Sequence, residues 1–214
     1  MINNFINELD IALKTLSYKK AGTQRGYPAD QEQNEEALTE SERALSESLM
    51  RVNLAGEVAA QALYRGQAWV CKDKKIKEHL IHAGDEETDH LIWCKKRLDE
   101  LQGKPSLLNP VWYAGSFAIG AIFGAMGETT SLGFVEETEK QVVKHLQRHL
   151  DRVSPKDKET IEILKTMQAD EDLHANQAAD SGAEDLQSPT KKIMEVTAKV
   201  MTSTSAHILS LIHI

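Results

Sequence analysis

Apolar positions recur along this chain at spacings of three and four, the period of one face of an α-helix, and no segment sustains the apolar–polar alternation of a strand. Phe5, Leu9, Ala12 and Leu16 predict a short amphipathic helix. The polar stretch from residue 17 to about 40, with Gly22, Gly26 and Pro28, reads as loop. A second helix is predicted over 41–71 with the stripe Met50, Leu54, Ala60, Tyr64, and a third over 73–102 through Ile76, Leu80, Ala83, Leu91, Cys94 and Leu98. Gly103 and Pro105 end that third helix. Leu132, Val135, Val142 and Leu146 mark a helix over 132–150. After the Ser154-Pro155 break, Leu164, Met167, Ala175 and Ala178 mark another over 158–179. A last helix, from Ser188-Pro189 to about 207, carries Ile193, Val196 and Val200 on one face. The expected fold class is all-α, a four-helix bundle with additional apolar helices.

Four of these apolar stripes are interrupted by acids. Glu57 lies in the second helix, Glu87 with His90 in the third, Glu139 at the centre of the 132–150 stripe, and Glu171 with His174 in the helix after it. Each Glu-x-x-His pair sits at i, i+3, which aims both side chains the same way. Two such motifs are close to what chance supplies; their placement is what carries weight. A carboxylate inside an apolar stripe costs several kcal/mol of desolvation unless a cation compensates it. The arrangement also repeats: Glu57 lies 30 residues before Glu87, and Glu139 lies 32 before Glu171. One glutamate from each of two helices and a Glu-x-x-His from each of the other two is the ligand inventory of the di-iron or di-manganese carboxylate bundle, and it is too oxygen-rich for structural zinc. The heptad through Val135, Val142 and Leu146 centres on Glu139 rather than Glu136 or Glu137. Asp89 and Asp170 could accept from ligand N–H groups, although solvated helix acids are the plainer reading. His145, one turn before His149, is a weaker candidate for a catalytic group, against boundary or solvated histidines.

Between Lys104 and Glu128 there is no charge, and PSLLNPVWYAGSFAIGAIFGAMG is 23 residues long. That length reaches a membrane span, but two prolines and four glycines weigh against spanning and toward a core helix or a face dipping into lipid. Gly120-x-x-x-Gly124 offers close helix contact, within the chain or between copies. With 41% hydrophobic and 27% charged residues, the composition is that of one ordinary globular domain. A net charge of -8 argues against nucleic acid. Cys71 and Cys94 form no C-x-x-C pair, so a reducing compartment is expected. The first residues lack the basic and apolar regions of a secretory signal, so a cytosolic bacterial protein is expected. Residues 209–214, LSLIHI, have the look of a translated library adaptor, a suspected non-native tail, and nothing is built on His213.

The segments RVNLAGEVAAQALYRGQA, EETDHLIWC, LNPVWYAGSFAIGA, SLGFVEETEKQVVKHL and DEDLHA together resemble the bacterial demethoxyubiquinone hydroxylases, over about residues 41–208. The resemblance implies a ferritin-like di-iron bundle domain over 41–208, behind an N-terminal helix and polar loop over 1–40. It implies two iron ions per chain on Glu57, Glu87, His90, Glu139, Glu171 and His174, with Glu87 and Glu171 bridging. The activity it implies is O2-dependent monooxygenation of a polyprenylated methoxy-benzoquinol, with electrons from NADH directly or through a carrier. The implied location is peripheral, on the cytoplasmic side of the cell membrane, and a homo-oligomer or ubiquinone-biosynthesis partner proteins would be compatible. The rival readings are a ferritin-like protein that binds or oxidises iron without an organic substrate, a manganese catalase or peroxidase on the same scaffold, and a non-catalytic membrane scaffold.

Overall fold

The computed structural model describes residues 2–23, 25–32 and 37–207. Its described residues form seven α-helices and a single 3-10 turn, Pro28–Gln31. The helices are α1 (Ile2–Leu16), α2 (Glu40–Val70), α3 (Lys74–Glu100), α4 (Asn109–Ala125), α5 (Glu128–Leu150), α6 (Lys158–Asp180) and α7 (Ser188–His207). The suspected tail, 209–214, lies outside the described residues. The starts are fixed by side chains that take up orphan N–H groups. Thr39 and Glu42 form a reciprocal capping box on α2, Asp73 accepts from the Ile76 N–H, and Asp157 accepts from the Thr160 N–H.

Helices α2, α3, α5 and α6 form the bundle, with α2 packed along α3 and α5 along α6. Arg97 ties the two pairs together at one end, donating to Asp157 at 2.7 Å and to the Thr160 hydroxyl at 3.0 Å. Two apolar clusters fill the interior. In one, Met50, Leu54, Leu91, Leu98, Leu146 and Leu164 meet; in the other, Tyr64, Ala68, Leu80, Ala83, Val135 and Ala178. Along α3, α5 and α6 the acidic position falls between the helix's contributions to these clusters, and along α2 it falls within the contribution to the first. The chain therefore folds as an all-α, ferritin-like bundle with a polar layer between two apolar plugs.

Helix α4 lies outside the bundle, along α2, so the reading of residues 105–127 as a core helix is corrected. Only Asn109, Tyr113 and Gly120 of α4 are buried, while Val111 and Ile122 stand about 60% exposed (59% and 60%). The reason is the distribution of small residues. A Cβ on Gly120 would strike the Leu63 carbonyl, and one on Gly66 would strike the Phe117 carbonyl, so α2 and α4 touch backbone to backbone and α4's larger side chains turn outward. The Gly120/Gly124 face thus serves contact within the chain. Among the described residues no helix is long and apolar enough to cross a membrane. The apolar face predicted for the last helix also points away from the bundle: Ile193, Val196 and Val200 are all more than half exposed.

His145 and His149 meet on one face of α5 with ring centroids 4.0 Å apart and planes tilted by 59°. Burial pushes the His149 ring down to about 2, helped by His145 and the neighbouring arginines, and pushes His145 down to about 4. Both rings are neutral in the folded chain at neutral pH.

Gly120→Ala should lower stability by about 1–3 kcal/mol in urea titration, because the added methyl must push the α2 and α4 backbones apart; a wild-type midpoint would contradict the contact. The unfolded chain takes up a proton on each imidazole near pH 6.5 whereas the folded chain resists it. Stability contributed by the neutral pair is therefore present above that pH and lost as pH falls from about 6.5 toward 4. In chelator throughout, His149→Gln should flatten that decline by about 1–3 kcal/mol; an unchanged slope would contradict the pair's role.

Candidate metal centre

All six predicted residues converge in the polar layer. Glu57, Glu87, His90, Glu139, Glu171 and His174 are each 5% exposed or less. His90 Nδ1 lies 3.1 Å from Glu87 Oε2, 3.2 Å from Glu171 Oε1 and 3.9 Å from Glu57 Oε2. His174 Nδ1 lies 3.1 Å from Glu87 Oε1 and 3.4 Å from Glu171 Oε2. Glu87 and Glu171 thus each turn one oxygen toward each histidine, which is the disposition of a carboxylate shared by two ions. One ligand atom each from Glu57, Glu87, His90 and Glu171 fall within 4.8 Å of one another, close enough for a single ion. Glu139 approaches from the other side, accepting a 2.7 Å hydrogen bond from the Tyr64 hydroxyl. Its neighbours face elsewhere, Glu136 paired with Lys140 and Glu137 with Lys191.

Four buried carboxylates in one layer demand positive charge. Burial raises Glu57 well above the usual carboxylate range, with Glu87 adding to it, and raises Glu139 likewise, with Glu171 adding. Burial would raise Glu87 too, but the two imidazoles hold it well below. His174 is carried up to about 11: burial would lower it, and Glu171 and Glu87 outweigh that. His90 is likewise raised by Glu87, Asp170 and Glu171 against the effect of burial. The acids thus hold the rings as imidazolium cations, protons that divalent metal ions would displace. Glu57 Oε2 is buried with no hydrogen-bond partner, and Glu87 Oε1, Glu171 Oε2 and His174 Nδ1 are buried with no well-aligned hydrogen bond despite their short separations. Orphans of this kind, all aimed into one layer, fit metal coordination, and four carboxylates with two imidazoles fit two first-row divalent ions.

Outside the six, each histidine has a carboxylate on its far nitrogen: His90 Nε2 to Asp170 at 2.9 Å and His174 Nε2 to Glu86 at 3.2 Å. An ionised carboxylate only accepts, so Nε2 donates and Nδ1 is turned inward. The solvated-acid reading of Asp89 and Asp170 is corrected for both. Asp170 supports His90; Asp89 is buried but accepts from the Thr23 N–H and hydroxyl rather than from a ligand. His145 makes no hydrogen bond to any of the six among the described residues and contacts His149 instead. Sequence reading missed Tyr64 and Glu86. Tyr64 lies two turns after Glu57 in the same stripe, where its ring passed for ordinary core, and Glu86 precedes a candidate ligand, off the stripe.

Over 208 residues the chain is 49% identical to "3-demethoxyubiquinol 3-hydroxylase" of Legionella pneumophila (strain Lens), covering 97% of each. It is 48% identical to the protein of the same name from Nitrosococcus oceani over 204 residues, 95% of each. With that of Delftia acidovorans it is 44% identical over 207 residues, 97% of this chain and all of the relative. Residues 44–205, which contain all six convergent side chains, match the model of the family described as "Ubiquinone biosynthesis protein COQ7", and the chain belongs to that family.

Proposed function

We propose that this chain is a monooxygenase that hydroxylates the ring of a polyprenylated methoxy-benzoquinol, demethoxyubiquinol, with O2, in ubiquinone biosynthesis. The observation that carries the reading is the buried layer in which Glu87 and Glu171 each face both His90 and His174. The names of the relatives, which match nearly end to end, supply the substrate and favour a hydroxylase over a protein that only oxidises iron. Two iron ions, held by Glu57, Glu87, His90, Glu139, Glu171 and His174, would supply the redox chemistry that activates O2. One oxygen atom enters the ring and the other leaves as water, with two electrons and two protons. The electrons come ultimately from NADH, directly or through a carrier.

The chain's own residues orient and insulate. Asp170 and Glu86 fix the two imidazole rings by their outer nitrogens, and the Tyr64 hydroxyl fixes Glu139. The apolar clusters above and below exclude water, which strengthens every interaction within the layer. Tyr64, Phe134, Val135 and Glu139 line a gap of about 10 Å³ between α2 and α5, room for no more than a water.

A greasy substrate points to a lipid surface. Phe5, Leu9, Val111, Ile122, Ile193 and Val196 are all at least half exposed, on α1, α4 and α7. These helices adjoin: α1 packs on α4, and the Trp112 indole donates to the Ser205 hydroxyl at 3.1 Å. We read this face as seated peripherally in the membrane interface on the cytoplasmic side.

Purified protein given iron, O2, a reductant and a short-chain demethoxyubiquinol should form the hydroxylated quinol, with loss of about a hundredfold or more in Glu87→Ala; full turnover by that variant would contradict the site. On neutral phosphatidylcholine vesicles the chain should co-sediment, and Ile122→Glu with Ile193→Glu should release it. Vesicle binding unaffected by both charges would contradict the proposed face.

A further inference from the structure

The loop that carries no helical signal is built across the outside of the polar layer. Residues 19–23 and 25–31 run along α3 and reach α6 by a series of ion pairs and hydrogen bonds. Lys20 Nζ meets Asp85 at 3.0 Å, the Thr23 N–H donates to Asp89 at 2.9 Å, and the Tyr27 hydroxyl donates to Glu100 at 3.0 Å. The strap lies so close that a Cβ on Gly22 would run into the Asp89 carboxylate. At its centre, Arg25 grips Asp170 with both terminal nitrogens, at 2.7 and 3.2 Å, and its guanidinium lies 4.9 Å from the centre of the Trp93 ring. Trp93 in turn packs against the His90 ring at 5.3 Å.

Among the described residues the second histidine is supported more loosely, through a Glu86 that meets His82 Nδ1 at 3.3 Å. Glu86, its outer partner, is 30% exposed and has beside it His82, a side chain 75% exposed. Asp170, by contrast, is 19% exposed and clamped. The two halves of the layer therefore match in their inner residues and differ in their outer ones.

From this asymmetry we infer that Arg25 is a positioning residue that locks Asp170 onto His90, so that the metal position beside His90 is held more firmly than the one beside His174. The inference rests on the two-ion reading of the layer but not on the identity of the substrate. Arg25 lies in the N-terminal segment, before residues 44–205, the stretch matched by the family model. Its action is indirect. Asp170 oriented from outside holds the Nε2–H, the ring is held by that bond and by Trp93, and Nδ1 stays aimed between Glu87 and Glu171.

The test is release of iron(II) from the loaded full-length chain to an excess of chelator, followed by absorbance, beside thermal melting of each variant. Wild type should release two ions in two phases, one fast and one slow. Arg25→Gln should speed the slow phase by about 10–100-fold and leave the fast phase alone, with a melting temperature near wild type. Arg25→Lys, which keeps one charged contact, should fall between. Asp170→Asn should act like Arg25→Gln, and the double variant should add little to either. Tyr27→Phe, which loosens the strap at Glu100 and away from Asp170, should leave both phases unchanged. A single phase in wild type, unchanged phases in Arg25→Gln, or an equal acceleration in Tyr27→Phe would overturn the assignment while leaving the metal site standing. A wild-type chain that takes up no pair of metal ions would overturn the function proposed above as well.

Discussion

The rest of this structure depends on the need to neutralise four carboxylates in one water-free layer. Glu57 and Glu139 are driven toward the protonated form by burial and by their acidic neighbours. The layer is held together because two imidazoles stand among the acids and because the acids themselves are shared, each of Glu87 and Glu171 facing both rings. The apolar clusters on either side make the layer dry. A dry layer makes charge compensation obligatory, and divalent ions do this with fewer bodies than protons do.

That constraint propagates outward. Rings that must point Nδ1 inward need acceptors on Nε2, which Asp170 and Glu86 provide, and an acceptor that must stay ionised benefits from a cation of its own, which Arg25 provides for Asp170. The same logic separates the interior from the flank. Helix α2 is buried on two sides, along α3 and along α4, and the second contact is close because glycines face it. Helix α4 then turns its bulky apolar residues outward, so the insulating bundle and the proposed lipid-facing surface come from one packing choice.

Much of this was legible in the sequence, for a physical reason. A glutamate within an apolar stripe announces itself because helical periodicity fixes which face it occupies, and six such residues converge as the stripes imply. The observed bounds of the four bundle helices fall within about four residues of those the apolar stripes predict. What periodicity could not supply was orientation without amphipathy. The uncharged segment has no polar face, so its pattern could not say that α4 would lie outside the bundle. Asp170 sits a third of a turn from its stripe and read as solvated, though α3 lies against that side. Arg25 was beyond reach altogether: its partner lies 145 residues away, and a loop has no period from which such a pairing could be read.

The central claim is that the buried layer holds two coupled metal ions through residues contributed by four helices. Mössbauer spectroscopy on protein loaded with iron-57, beside the Glu171→Ala variant, tests it most directly. The account predicts two irons per chain as a coupled pair in the wild type, and loss of that pair in the variant. No paired iron in the wild type, or the same iron content and spectrum in the variant, would contradict it.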